Sequence, residues 1–145
     1  MGRVAELGSL GHIRTNHDMP TYTRAQIAEK HGGGTKEYLP NENGRVVCAC
    51  LGRDFDPGAP EVILPGDYDY VRHWASVLCK QGDSIPVYIW QAPDVWKYVG
   101  EYEVESSSQL PADIAQHARS ERFAHIPISS VIWMKQALRA HDHVA

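Results

Sequence analysis

Residues 85–104 read IPVYIWQAPDVWKYVGEYEV, and their patterning decides the fold class. Ile85, Val87, Tyr88, Ile89 and Trp90 are strand formers, and residues 91–94 carry turn chemistry. From residue 95 to residue 104 apolar and polar side chains alternate with the period of two that a half-buried strand requires, so the stretch predicts a β-hairpin. In a regular second arm Trp96, Tyr98, Gly100, Tyr102 and Val104 share one face, opposite Lys97, Val99, Glu101 and Glu103. Gly100 interrupts the aromatic row, and a glycine inside a strand marks a bulge or a close approach by another backbone or a ligand.

Upstream, the run 69–81, DYVRHWASVLCKQ, places Tyr70, Trp74, Val77 and Leu78 on one helical face, with Asp69 in the capping position. Thr23 with Gln26 three residues on predicts a capped short helix that ends at Gly32, Gly33 and Gly34. Residues 45–51 and 61–64 read as short strands, separated by a loop rich in Asp, Pro and Gly. Downstream, residues 112–118 predict a helix after Pro111, residues 123–128 a strand, and residues 131–141 a last helix. Residues 1–20 show no sustained period and are assigned to an irregular arm, leaving one domain over 21–145. Several short strands and helices without strand–helix alternation predict α+β, with a small, strongly bent β-barrel flanked by short helices.

The 145 residues suffice for one core without disulfides or metal. Three cysteines, Cys48, Cys50 and Cys79, have no framework spacing and read as reduced thiols. No apolar run reaches the length of a membrane span, and residues 1–10 lack the apolar segment of a signal peptide, so the expectation is a cytoplasmic or nuclear protein with no membrane partner. The net charge of −4 is unevenly spread: residues 1–53 carry net +2 and residues 54–145 net −6, so an anion-binding surface is expected to draw on the first third.

Familiar catalytic patterns are missing. His31 with Gly32, Gly33 and Gly34 has no G-x-S-x-G elbow to serve, and the phosphate-loop spacing is absent although Thr35 and Lys36 follow. The histidines and Cys48-x-Cys50 form no metal-ligand set, so no metal and no cofactor are expected. Cys79 with His73 on one helix is a weak nucleophile pair, read as structural. Asp54, Asp56, Asp67 and Asp69 bracket the second predicted strand, where turn chemistry explains them as well as acid–base work does. The aromatics are harder to set aside as packing alone. Trp90 and Trp96 at the hairpin turn, with Tyr22 and the Gly66 to Tyr70 turn, can wall a slot for a flat ligand.

In order along the chain stand Tyr22-Thr23-Arg24-x-x-Ile27, the glycines, Tyr38-Leu39-Pro40, the strand at Val46, D-P-x-A-P from Asp56 to Pro60, Gly66, IPVYIW and W-x-Y-V-G-x-Y-x-V. This order, over residues 21–105, resembles modules fused to nucleases and helicases, which are similar to the PUA-like group of SRA, EVE, YTH and ASCH domains. The resemblance implies a bent barrel, a nucleic-acid partner carrying a modified base, DNA ahead of RNA, an aromatic cage for a flipped base, and a nuclease or helicase partner. A flipped base needs stacking faces, hydrogen bonds to its edge and cations for the phosphates. Tyr22, Asp67, Tyr68, Trp90, Trp96 and Tyr98 are the expected base-binding set, with Asp69 as a second candidate for an amino group, and Arg24, Lys36 and Arg45 the phosphate-binding set. The competing readings are a small nucleotide-processing enzyme using Asp67 or Asp69 with His73, and a protein-interaction module.

Overall fold

The computed structural model describes residues 20–137. Most of the N-terminal arm and the end of the last predicted helix lie outside them. The described elements are β1 (Thr21–Tyr22), α1 (Arg24–His31), β2 (Asn41–Glu42), β3 (Arg45–Val46), β4 (Ala49–Leu51), β5 (Val62–Ile63), α2 (Asp69–Gln81), β6 (Ile85–Ala92), β7 (Val95–Ser108), α3 (Pro111–Ile114) and β8 (Val131–Gln136). The fold is α+β. A six-stranded sheet runs in the order β4-β6-β7-β8-β5 with β1 added on β7, while β2 and β3 pair separately. All pairings are antiparallel except β4 with β6, the two strands joined by a crossover that includes α2.

β7 organises the sheet, because its first half pairs with β1 and β6 and its second half with β6 and β8. The predicted hairpin is present, but its alternation is broken. Val87 pairs with Gly100 and Tyr88 with Tyr98, so Val99 is an extra residue, and Gly100 takes φ +127°. Before the bulge Trp96 and Tyr98 pack with Ile27, Cys48, Cys50 and Tyr88; beyond it Tyr102 and Val104 join Val87, Ile89, Leu78 and Ile132 on the other face. The single aromatic face expected of the second arm is therefore two half-faces. Gly100 is required: a Cβ there would meet Gln136 Nε2 at 3.0 Å in a backbone region that side chains rarely adopt.

Each face has its own helix, with Ile27 of α1 covering one core cluster and Ala75 and Leu78 of α2 the other. Thr23 and Gln26 form the full capping box: the Thr23 hydroxyl accepts from the Gln26 N–H at 3.1 Å, and the Gln26 side chain accepts from the Thr23 N–H at 2.9 Å. Because α1 starts with Arg24, this cap also fixes a residue of the candidate site. Thr23→Ala is expected to cost about 1 kcal/mol of unfolding free energy in a urea titration, and an unchanged midpoint would show that tertiary packing alone fixes this helix start.

Several local expectations are corrected. Asp69 does not cap α2; it lies in the first turn and pairs with Arg72, and Tyr68 occupies the cap position without a side-chain bond. Residues 45–51 are two strands in two sheets, since Val46 pairs back to Asn41 while Ala49–Leu51 joins β6. Residues 123–128 are no strand but a 3-10 turn at Glu121–Phe123 followed by loop, apart from one bridge between Ile128 and Gly66. Val131–Gln136 is a strand where a helix was expected, its apolar β-branched start drawn into pairing with β7 and β5.

Candidate nucleobase cavity

Beside β4 at the edge of the sheet, the start of α1, the β6–β7 hairpin and several loops line a cavity of about 600 Å³, a volume ordinary for small-ligand sites. Trp90 and Trp96 face each other across the β6–β7 pair and form one wall. Tyr68, Phe55 and Phe123 stand on the loops opposite, and Tyr38, Cys50, Leu64 and Asp56 lie deeper. Phe55, Tyr68 and Trp90 are exposed despite their size. These rings are not spent on the core.

The hairpin turn is docked onto α1 through the Arg24 N–H, which donates to Asp94 Oδ1 at 2.9 Å. The Arg24 guanidinium lies 5.2 Å from the Trp96 ring centroid, and its Nη2 donates to the Glu37 carbonyl at 2.9 Å. Two polar atoms stay buried and unpartnered here, Arg24 Nε and Glu37 Oε1. Buried polar groups ordinarily find a partner, and both belong to residues that line the cavity.

At the deep end Asp56 is buried, with Oδ1 accepting from the Leu64 N–H at 2.7 Å. Burial pushes its carboxyl up to about 7, an effect that the Leu64 N–H and the Arg119 charge only partly offset. Burial also pushes the Tyr38 phenol well above its ordinary range, and its hydroxyl donates to the Val71 carbonyl at 3.0 Å. Arg119 is buried too, and its three nitrogens each donate to a carbonyl: Phe55 at 2.8 Å, Ile126 at 3.1 Å and Pro127 at 3.2 Å.

The lining contains Arg24, Lys36, Arg53, Arg119 and Arg122 against Glu37, Asp54 and Asp56, so it is net positive in a chain whose formal net charge is −4. None of these five cations is in an ion pair among the described residues, where the ion pairs are those of Arg45 with Asp83 and of Arg72 with Asp67 and Asp69.

Of the expected base-binding set, Tyr68, Trp90 and Trp96 meet in this cavity, joined from the phosphate-binding set by Arg24 and Lys36. The others lie elsewhere. Tyr22 packs edge-on against Tyr88 at 5.7 Å, and Tyr98 packs on Tyr88 at 5.5 Å and donates to Glu101 Oε2 at 2.7 Å. Asp67 is engaged by Arg72 and lines a second, smaller cavity of about 280 Å³ with Ser129 and Ser130, and Arg45 is engaged by Asp83. His73, the proposed partner of Asp69, packs on Trp74. Sequence reasoning passed over Arg119, Phe55, Arg53 and Arg122; Asp56 it named only among four carboxylates that turn chemistry explained as well as acid–base work, and in the Asp56–Pro60 stretch, not in the base-binding set.

Among the described residues no cluster of three or more His, Cys, Asp or Glu could hold a metal ion, and no helix is long and apolar enough to cross a membrane. No family model, curated protein or solved structure matches the chain.

Proposed function

We propose that the domain is a non-catalytic reader of modified nucleic acid, DNA ahead of RNA, which holds one base in the cavity between Trp90 and the loop aromatics. The observation that carries this reading is the combination in one concavity of exposed aromatic faces, a buried carboxyl and five cations outside any ion pair among the described residues. A flipped base calls for that set: faces to stack on, a polar group for its edge and positive charge for the flanking phosphates. Asp56, in place of Asp67 or Asp69, is then the group that meets the base edge. The long, bulged β7 supports the finer view of the sheet as a variant of the PUA-like bent barrel, the architecture that the motif order implies. A nuclease or helicase partner belongs to the same reading.

Binding is tested by titrating oligonucleotides with methylated, hydroxymethylated and unmodified bases. A preference for one modified base is expected, and equal, background-level binding to all of them would sink the reading. Trp90→Ala is expected to weaken binding by about 1–3 kcal/mol without loss of fold, because the ring is exposed and adds little to the core.

A nucleotide-processing enzyme is the second reading, and one observation favours it: a carboxyl poised near neutrality at the end of the cavity suits general acid–base work. Its acid is Asp56, with no role left for Asp67, Asp69 or His73. Turnover of a nucleotide that Asp56→Asn abolishes while binding persists would decide for it.

A further inference from the structure

Phe55 and Phe123 belong to loops far apart in the chain, yet both rings line the cavity and stack there, centroids 4.2 Å apart and planes 26° from parallel. The two loops are tied together: the Ser120 N–H donates to the Asp54 carbonyl at 2.9 Å, the Phe123 N–H to the Ser120 carbonyl at 2.9 Å, and Arg119 Nη1 to the Phe55 carbonyl at 2.8 Å. Neither ring is among the side chains of the two core clusters. The Arg119 guanidinium, 6.0 Å from the Phe55 centroid, is at the outer limit of a cation–π contact and leaves that ring 41% exposed. Arg53 and Arg122 line the same wall and are exposed, with the Arg122 guanidinium 5.3 Å from the Phe123 centroid. A braced, open ring pair flanked by cations is thus built into the cavity.

We propose that this ring pair is a second stacking station, and that the cavity takes two successive nucleotides of an unpaired strand, the modified base between Trp90 and Tyr68 and its neighbour on Phe55. The proposal rests on the nucleic-acid reading and narrows its ligand to a single strand.

Size, shape and charge each support it. A site of about 600 Å³ buries a drug-sized ligand, and one base is smaller than that. A ring that enters a duplex between base steps must project from the surface as a wedge, whereas Phe55 and Phe123 line a concavity with Trp90, so both bases have to come into it together. Two adjacent bases of a duplex would each lose their pairing on the way in; an unpaired strand has no pairing to lose. The net charge of −4 suits a ligand held at few phosphates, and exposed Arg53 and Arg122 stand where the neighbour's phosphate arrives. Two carbon rings carry no hydrogen-bonding group, so the station accepts any neighbouring base and leaves discrimination to the modified one.

The test titrates the full chain with short oligodeoxynucleotides that carry one methylated cytosine, one hydroxymethylated cytosine or one methylated adenine. Each is presented as a single strand, as the matching duplex, and as a strand with abasic residues on both sides of the modified base. The intact strand is expected to bind roughly 5- to 150-fold tighter than the abasic-flanked strand, the contribution of one stacked base, and tighter than the duplex. Phe55→Leu keeps an apolar side chain on the loop but removes the planar face; it should weaken the intact strand by a factor in that range and the abasic-flanked strand much less. Equal binding of intact and abasic-flanked strands, a duplex that binds as tightly as the strand, or undiminished binding by Phe55→Leu would overturn the inference and leave the base-holding site standing. Binding of no probe in any form refutes the nucleic-acid reading, and this inference with it. If Phe55→Leu does not fold, the wild-type comparison of intact and abasic-flanked strands decides alone.

Discussion

Arg119→Ala is expected to lower the unfolding free energy by about 3–5 kcal/mol, the largest single effect anticipated at the site. The side chain is 7% exposed and its three nitrogens reach three carbonyls on two loops, those of Phe55 on one and of Ile126 and Pro127 on the other. Truncation leaves these acceptors without their donors and leaves Asp56 without the guanidinium charge that partly offsets its burial. Lysine does not rescue it, because one ammonium cannot span the fork that a guanidinium presents. Arg122 supplies the control: it is exposed above the Phe123 ring, and Arg122→Ala should change stability by no more than about 0.5 kcal/mol. Urea titrations of the two variants check the contrast. Comparable losses would show that Arg119 is replaceable by water, and that the two loops hold together without it.

The second large effect depends on pH. Asp56 titrates near 7 in the folded protein against 3.8 as the ordinary value, because burial disfavours its charged form. Between about pH 4 and about pH 7 the unfolded chain has released this proton while the folded chain still holds it. The folded state therefore binds more protons in that window, and stability falls as pH rises through it, then levels off above. Asp56→Asn keeps an acceptor for the Leu64 N–H and removes the titration. Relative to wild type the variant should gain stability from about pH 4 upward, reaching on the order of 4 kcal/mol by about pH 8. Denaturant midpoints of both proteins across that range test it, and two parallel pH profiles would refute the assignment. Ligand binding should carry the same signature. On the proposed reading, a base edge that donates through an amino group should bind better as Asp56 ionises, and an edge that accepts should bind better below about pH 7.

Much of this fold was legible because its strongest elements carry local signals. The Thr23–Gln26 box, the apolar stripe of α2 and the alternation in β6 and β7 each depend on neighbours within a few residues. What escaped was set by partners far along the chain. Val131–Gln136 has an apolar run as compatible with a helix as with a strand, and pairing with β7 and β5 decided it. The bulge at Val99 left Gly100 as its only trace in the sequence, and the trace did not say which side chains would change faces. At the site, Trp90, Trp96 and Tyr68 announced themselves as aromatics beside turns. Asp56 and Arg119 did not, because an aspartate in a Pro- and Gly-rich loop and an arginine between two short elements look like surface residues until the loops fold over them.

The extra residue at Val99 also divides the labour of β7 between two kinds of selection. N-terminal to it, a change at Trp96 is felt first by whatever occupies the cavity; C-terminal to it, a change at Tyr102 or Val104 is felt by the α2-side core. One strand thus serves two environments: before Val99 it packs on the α1-side cluster while bordering the cavity, and after it only on the α2-side core.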